Sequence, residues 1–172
     1  MTNVYAASLF DIGLNNKHLD EIFISFKIFI TCLDDNKDFK HIMISPIVEE
    51  TEKLALIDKI EAQFNKDFVY FLRVLVKHNQ INNIDDIFFD FKEMYYQYMH
   101  KLEVIILTNT SLTKEDITHF HAFLDQKYPD KEIIIEEKID HSILCGFEVF
   151  IDHKRVSASL KAELENLKKE IL

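Results

Sequence analysis

Apolar positions along the first hundred residues recur with a helical period. Tyr5, Ala6, Leu9, Phe10, Gly13 and Leu14 form one stripe and predict a helix over 3–16. Leu19, Ile22, Phe23, Phe26, Phe29 and Ile30 predict a second over 18–33, closed by the polar turn "DDNKD" at 34–38. "FKHIMI" predicts a short third helix that must stop before Ser45-Pro46, because proline disfavours α geometry in the residue before it. "TEKLALIDKIEAQF" predicts a fourth, with Leu54, Ile57 and Ile60 inward and Thr51 as its cap. In "KDFVYFLRVLVKH", Phe68, Phe71, Leu72, Leu75 and Val76 fill one face while Tyr70 and Val74 lie on roughly the opposite side. A helix apolar on two sides is buried on two sides, in its own core or against a guest helix. Ile84, Ile87, Phe88, Phe91, Tyr95, Tyr98 and Leu102 predict a sixth helix over 82–101. Six helices with short connections predict a bundle.

At residue 102 the period changes. "LEVIILTNT" places four apolar residues in succession, as in a strand covered on both faces. "SLTKEDITHFHAFLDQKY" opens with Thr113 and Asp116 at capping-box spacing and continues helically to Pro129. "EIIIEEKI" predicts a second strand, completing a strand–helix–strand unit. "FEVFI" alternates Phe147, Val149 and Ile151 against Glu148 and Phe150, "DHK" turns the chain, and a last helix is expected over 158–171. The expected architecture is therefore α + α/β, an N-terminal six-helix bundle (1–101) followed by a small α/β domain (102–172).

Composition narrows the function. Two glycines, Gly13 and Gly146, stand far apart in 172 residues. A phosphate-cradling loop needs several close together, so nucleotide-binding loops are excluded. The net charge of −10 is shared evenly: 11 basic against 16 acidic side chains in 1–101, and 9 against 14 in 102–172. With no basic stripe, nucleic acid and anionic lipid are poor partners. Cys32 and Cys145 sit apart in apolar contexts, which fits a reduced intracellular chain. There is no leader pattern, and the longest apolar runs, such as "VIIL" at 104–107, are too short to span a bilayer, so any membrane association is expected to be indirect.

Candidate chemistry is sparse. Asp116 and His119 share a helix face, with His141 a further candidate, but His121 points about 200° away from His119 and breaks two-histidine metal geometry. Glu136 and Glu137 face opposite sides of a strand. No catalytic residues, cofactor or metal site are expected, and a small hydrolase is a distant alternative.

The segment "KIDHSILCGFEVFIDHKRVSASLKAELENLKKEI" at 138–171 resembles the C-terminal signature of the delta subunit of F-type ATP synthases, the oligomycin-sensitivity-conferring protein family, through Asp140, Ser142, Leu144, Gly146, Val149, Ile151, Val156, Ser159 and Leu160. "YAASLF" at 5–10 is similar to that family's opening. "SPIVEETEKLALIDKI", "FLRVLVKHNQINNI" and "EVIILTNTSLTKED" follow its middle segments in order. Three positions depart from the pattern: Cys145 replaces the first glycine of a pair, His141 a frequent proline, and Ser157 an aspartate. Gly146 is read as serving chain geometry at the start of a strand.

The resemblance implies a non-catalytic stator subunit of a proton-translocating synthase, one copy per complex, on the cytoplasmic face of the cell membrane. Its helical domain would hold N-terminal helices of the alpha subunits in a groove between the first and fifth helices. Its second domain would bind the b subunits of the peripheral stalk. Tyr5, Ala6, Leu9, Phe10, Gly13, Tyr70 and Val74 are the candidate groove residues, and Leu144 and Phe150 the candidate stalk contacts. A general helical adaptor, unrelated to any ATP synthase, is the alternative reading.

Overall fold

A computed structural model describes residues 3–143 and 147–156; the expected helix over 158–171 lies outside them. The chain is α + β and divides into two compact units, residues 1–95 and 96–172.

In the first unit the helices are α1 (Val4–Asn16), α2 (Leu19–Asp35), α3 (Lys37–Ile44), α4 (Glu50–Ile60), α5 (Lys66–Lys77) and α6 (Ile84–Tyr98), the last of which crosses the division. Short polar side chains set the boundaries. Asn3 and Asn65 cap α1 and α5 by accepting from backbone N–H groups of the first turn. Asn36 ends α2 and caps α3 in a single residue, so the polar turn expected at 34–38 shrinks to one position. Ser45 is extended (φ −66°, ψ 129°) before Pro46, as the proline requires. Thr51 is not the cap of α4: Glu49 holds that position and makes no side-chain cap bond, while the Thr51 hydroxyl reaches the Glu49 carboxylate at 3.4 Å.

Phenylalanines dominate the core of this unit. Phe26, Phe29, Phe68 and Phe91 are fully buried, and Phe26 touches the rings of Phe68, Phe71, Phe88 and Phe91 with centroids 4.9–6.0 Å apart. Such ring pairs add to the burial term when tilted or edge-on. Phe23 stacks on Tyr95 at 4.0 Å, and the Tyr95 hydroxyl donates to Asp20, giving a buried phenol its polar partner. The aromatic stripe of α6 is core at Ile84, Ile87, Phe91 and Tyr95. It ends there, because Tyr98 is exposed and Leu102 belongs to a strand.

The second unit holds β1 (Lys101–Thr108), α7 (Lys114–Lys127), β2 (Glu132–Ile139), β3 (Phe147–Ile151) and β4 (Lys154–Arg155). The sheet order is β2-β1-β3-β4; β1 pairs with β2 in parallel and with β3 antiparallel. The parallel pair joined through α7 is the expected strand–helix–strand unit. Leu102, Val104 and Ile106 alternate onto one sheet face with Ile133, Phe147 and Val149, where Phe120 and Leu124 of α7 cover them. Asp152 and His153 make the two-residue β3–β4 turn, both at positive φ (46° and 61°), as mirror-image hairpin turns demand.

Candidate functional site

Two polar contacts at opposite ends tie α1 to α5. The Tyr5 hydroxyl lies 3.2 Å from His78 Nδ1, just past the end of α5. At the other end the Asn16 amide donates to Asp67 Oδ2 at 2.8 Å, in the first turn of α5. The start of one helix meets the end of the other, so α1 and α5 lie side by side and antiparallel. The α5 N-terminus is fixed further by Asn65, whose backbone N–H donates to Ser25 and whose amide donates to Glu21.

On this frame α5 is two-faced. Phe68, Val69, Phe71, Leu72, Leu75 and Val76 are buried in the core. Tyr70 is 65 % exposed, and Val74, one turn further on, is half-buried. Tyr70, Val74 and His78 follow one another at four-residue spacing along one side of the helix. The α1 residues of the expected groove have a different disposition. Ala6, Leu9, Phe10 and Gly13 are buried within the helical unit, and Tyr5 is half-buried. Gly13 is needed inside the unit: a Cβ there would stand 2.9 Å from Leu19 Cδ1 and 3.1 Å from Leu19 Cα, so its absence lets α2 approach α1. The apolar side chains that α1 turns outward are Val4 and Ile12, which fall outside its apolar stripe.

Beside Tyr70 lies an open cavity of about 500 Å³ lined by Glu61, Ala62, Phe64, Lys66, Val69, Tyr70 and Arg73. Arg73 donates to Asp58 (2.8 Å) and Glu61 (2.5 Å), and these two bonds push its pKa up, so it is a fixed cation at the rim. Sequence periodicity missed this cavity, because it is made by a 3-10 turn at Glu61–Gln63 where a fourth helix was expected to continue.

In the second unit, Phe150 is half-buried and pairs with Ile105 across the β1–β3 ladder, on the sheet face opposite the α7 core. Leu144 lies outside the described residues. Asp116 is committed to its helix, accepting from the Thr113 N–H at 2.9 Å and the Thr113 hydroxyl at 2.8 Å. His119 Nδ1 sits 2.7 Å from the Glu115 carbonyl. Among the described residues no group of three or more His, Cys, Asp or Glu side chains is arranged to hold a metal ion, and no helix is long and apolar enough to cross a membrane.

Together these features define an α + β protein whose helical unit carries a paired-helix surface with outward apolar side chains. The chain belongs to the family described as ATP synthase delta (OSCP) subunit, whose profile matches residues 1–171. It is 26% identical over 173 residues to the ATP synthase subunit delta of Clostridioides difficile (strain 630), covering 99% of this chain and 95% of that protein. With that of Fusobacterium nucleatum it shares 27% over 165 residues, covering 96% and 94%. Its fold is similar to a chain in the cryo-EM structure of the Toxoplasma gondii mitochondrial ATP synthase hexamer, at a TM-score of 0.77 and 15% identity, covering 97% of this chain and 94% of that one. The protein is thus a structural, non-catalytic subunit of an ATP synthase, a peripheral component belonging to the stalk of the complex.

Proposed function

We propose that the chain is the stator link of a proton-translocating F-type synthase, one copy per complex, at the cytoplasmic face of the cell membrane. Residues 1–101, acting as one six-helix bundle, hold N-terminal helices of the alpha subunits; residues 102–172 hold the b subunits of the stalk. The observation that carries this reading is the antiparallel α1–α5 pair with Tyr70 and Val74 left outside the core. An amphipathic guest helix needs an apolar strip between two parallel ridges. Tyr5, Tyr70 and Val74 supply contact surface, while Ala6, Leu9, Phe10 and Gly13 fix α1 beneath it. Phe150, with Leu144, supplies the stalk contact. A link that resists torque needs slow dissociation, and a desolvated apolar centre gives that better than rim charges.

The test is calorimetry with a peptide of the alpha-subunit N-terminus from the same organism. Val74→Glu places a charge in the strip without touching the core. Binding is expected to weaken at least about ten-fold, with helical content and melting unchanged. Unchanged affinity in a well-folded variant removes the groove assignment. Co-purification of the intact chain with a partner set lacking alpha and b subunits would favour a general adaptor instead.

A further inference from the structure

Lys53, on α4, is the one cationic side chain buried among the described residues, at 6% exposure. Its ammonium donates to the Ser45 carbonyl at 2.7 Å. No described carboxylate lies within ion-pair reach of it. An ammonium has three donors, and one carbonyl bond leaves two unassigned. Burying a charge with so little compensation is unfavourable unless something pairs with it.

Lys53 lines a cavity of about 290 Å³, together with Ile44, Pro46, Asn79, Ile81 and Asn82. No acidic residue is in that lining, and Lys53 is its one ionisable side chain. Asn79 is set by a left-handed backbone (φ 55°) just after α5. Asn79 and Asn82 are exposed, and their carboxamides make no hydrogen bond to other described residues. One cation, two carboxamides and three apolar side chains match a monoanion with a carbon next to its charge. A doubly charged, strongly hydrated phosphate would meet too few donors and too much hydrocarbon.

We propose that this cavity is a carboxylate-binding site: Lys53, Asn79 and Asn82 take the oxygens, and Ile44, Pro46 and Ile81 take the adjoining carbon. The carboxylate comes either from a free small organic acid or from an Asp or Glu side chain of a neighbouring subunit in the assembled complex. The lining of the recess includes neither Tyr70 nor Val74.

Acetate is the probe. The full chain is titrated with potassium acetate against potassium chloride at equal ionic strength, following the side-chain amide NMR signals of Asn79 and Asn82. A saturable, acetate-specific shift is expected. Lys53→Met keeps the aliphatic stem and should weaken the response about ten-fold or more, with Asn82→Ala weakening it a few-fold. A second arm measures retention of wild type and Lys53→Met on the intact synthase during urea washing. Loss of the variant at lower urea identifies a neighbour's carboxylate; equal retention with a lost acetate response identifies a free acid. A linear, non-saturating response in the wild type, or an undiminished one in a folded Lys53→Met, overturns the site.

Discussion

The missing Cβ of Gly13 is what allows Leu19 to sit against α1: the position it would occupy is 3.1 Å from Leu19 Cα and 2.9 Å from Leu19 Cδ1. The leucine tip can rotate away, but the backbone Cα cannot do so cheaply. Overpacking costs about 1–3 kcal/mol, and replacing a mid-helix Gly by Ala returns about 1 kcal/mol of propensity. Gly13→Ala is therefore expected to lose about 1 kcal/mol net, and Gly13→Val about 3 kcal/mol, in urea denaturation. A rise in stability for the alanine variant would show that α1 and α2 separate freely, and that the glycine serves something other than their contact.

The start of α7 depends on a reciprocal pair. Thr113 accepts from the Asp116 N–H at 3.1 Å while Asp116 accepts from the Thr113 N–H. This satisfies two of the amide groups that a helix N-terminus leaves unpaired. Thr113→Ala should lower the stability of the second unit by about 1 kcal/mol, with Thr113→Ser nearly neutral. Equal losses for both variants would mean that the threonine methyl, and not the hydroxyl, carries the effect.

Much of this was legible from pattern because the signals were local. The extent of β2, 132–139, matched the sequence reading, since the isoleucine run 133–135 marks the strand and Pro129 and Asp140 bound it closely. Asn3, Asn36 and Asn65 act at helix starts where short polar side chains compete for free amides. What escaped was long-range. Periodicity assigned Ala6, Leu9 and Phe10 to a stripe but could not say whether a guest or the chain itself covers it; the structure buries them inside. Lys53 was invisible because a lysine following Glu50, Thr51 and Glu52 in the polar first turn of α4 reads as a solvated side chain, and only the packing of α3, α4 and the turn after α5 encloses it. The early end of α4 at Ile60 has no proline or glycine to announce it.

Asp140 follows β2 and accepts from Ser142, whose backbone N–H lies 2.8 Å from Oδ1. The Ser142 hydroxyl, then this backbone bond, hold its carboxyl below the ordinary value of 3.8. The ionised form is the one stabilised, so its contribution is present above 3.8 and is lost as pH falls through the lower folded-state value. In a pH titration followed by carboxyl carbon shifts, Asp140 should titrate below an unstructured aspartate. Ser142→Ala should move the midpoint upward while leaving the backbone bond. An Asp140 midpoint at or above that of the denatured chain would mean the turn does not form in solution.

Lys53 titrates in the opposite sense. Burial lowers its pKa below 10.5, so between the folded-state value and 10.5 the unfolded chain binds the proton more tightly. Stability contributed at this position therefore rises as pH climbs through that window. Lys40 works against it: hydrogen bonding to Asp34 raises its pKa, so its contribution fades above 10.5. Comparing wild type with Lys53→Met cancels Lys40 and every other group the two chains share. The variant should be at least as stable as wild type at neutral pH, because removing a buried, poorly compensated charge is commonly neutral or favourable. Its advantage should shrink as wild type loses the proton in alkali. Urea midpoints measured for both chains across the alkaline range check this, and a difference that stays flat with pH would place the Lys53 ammonium in water.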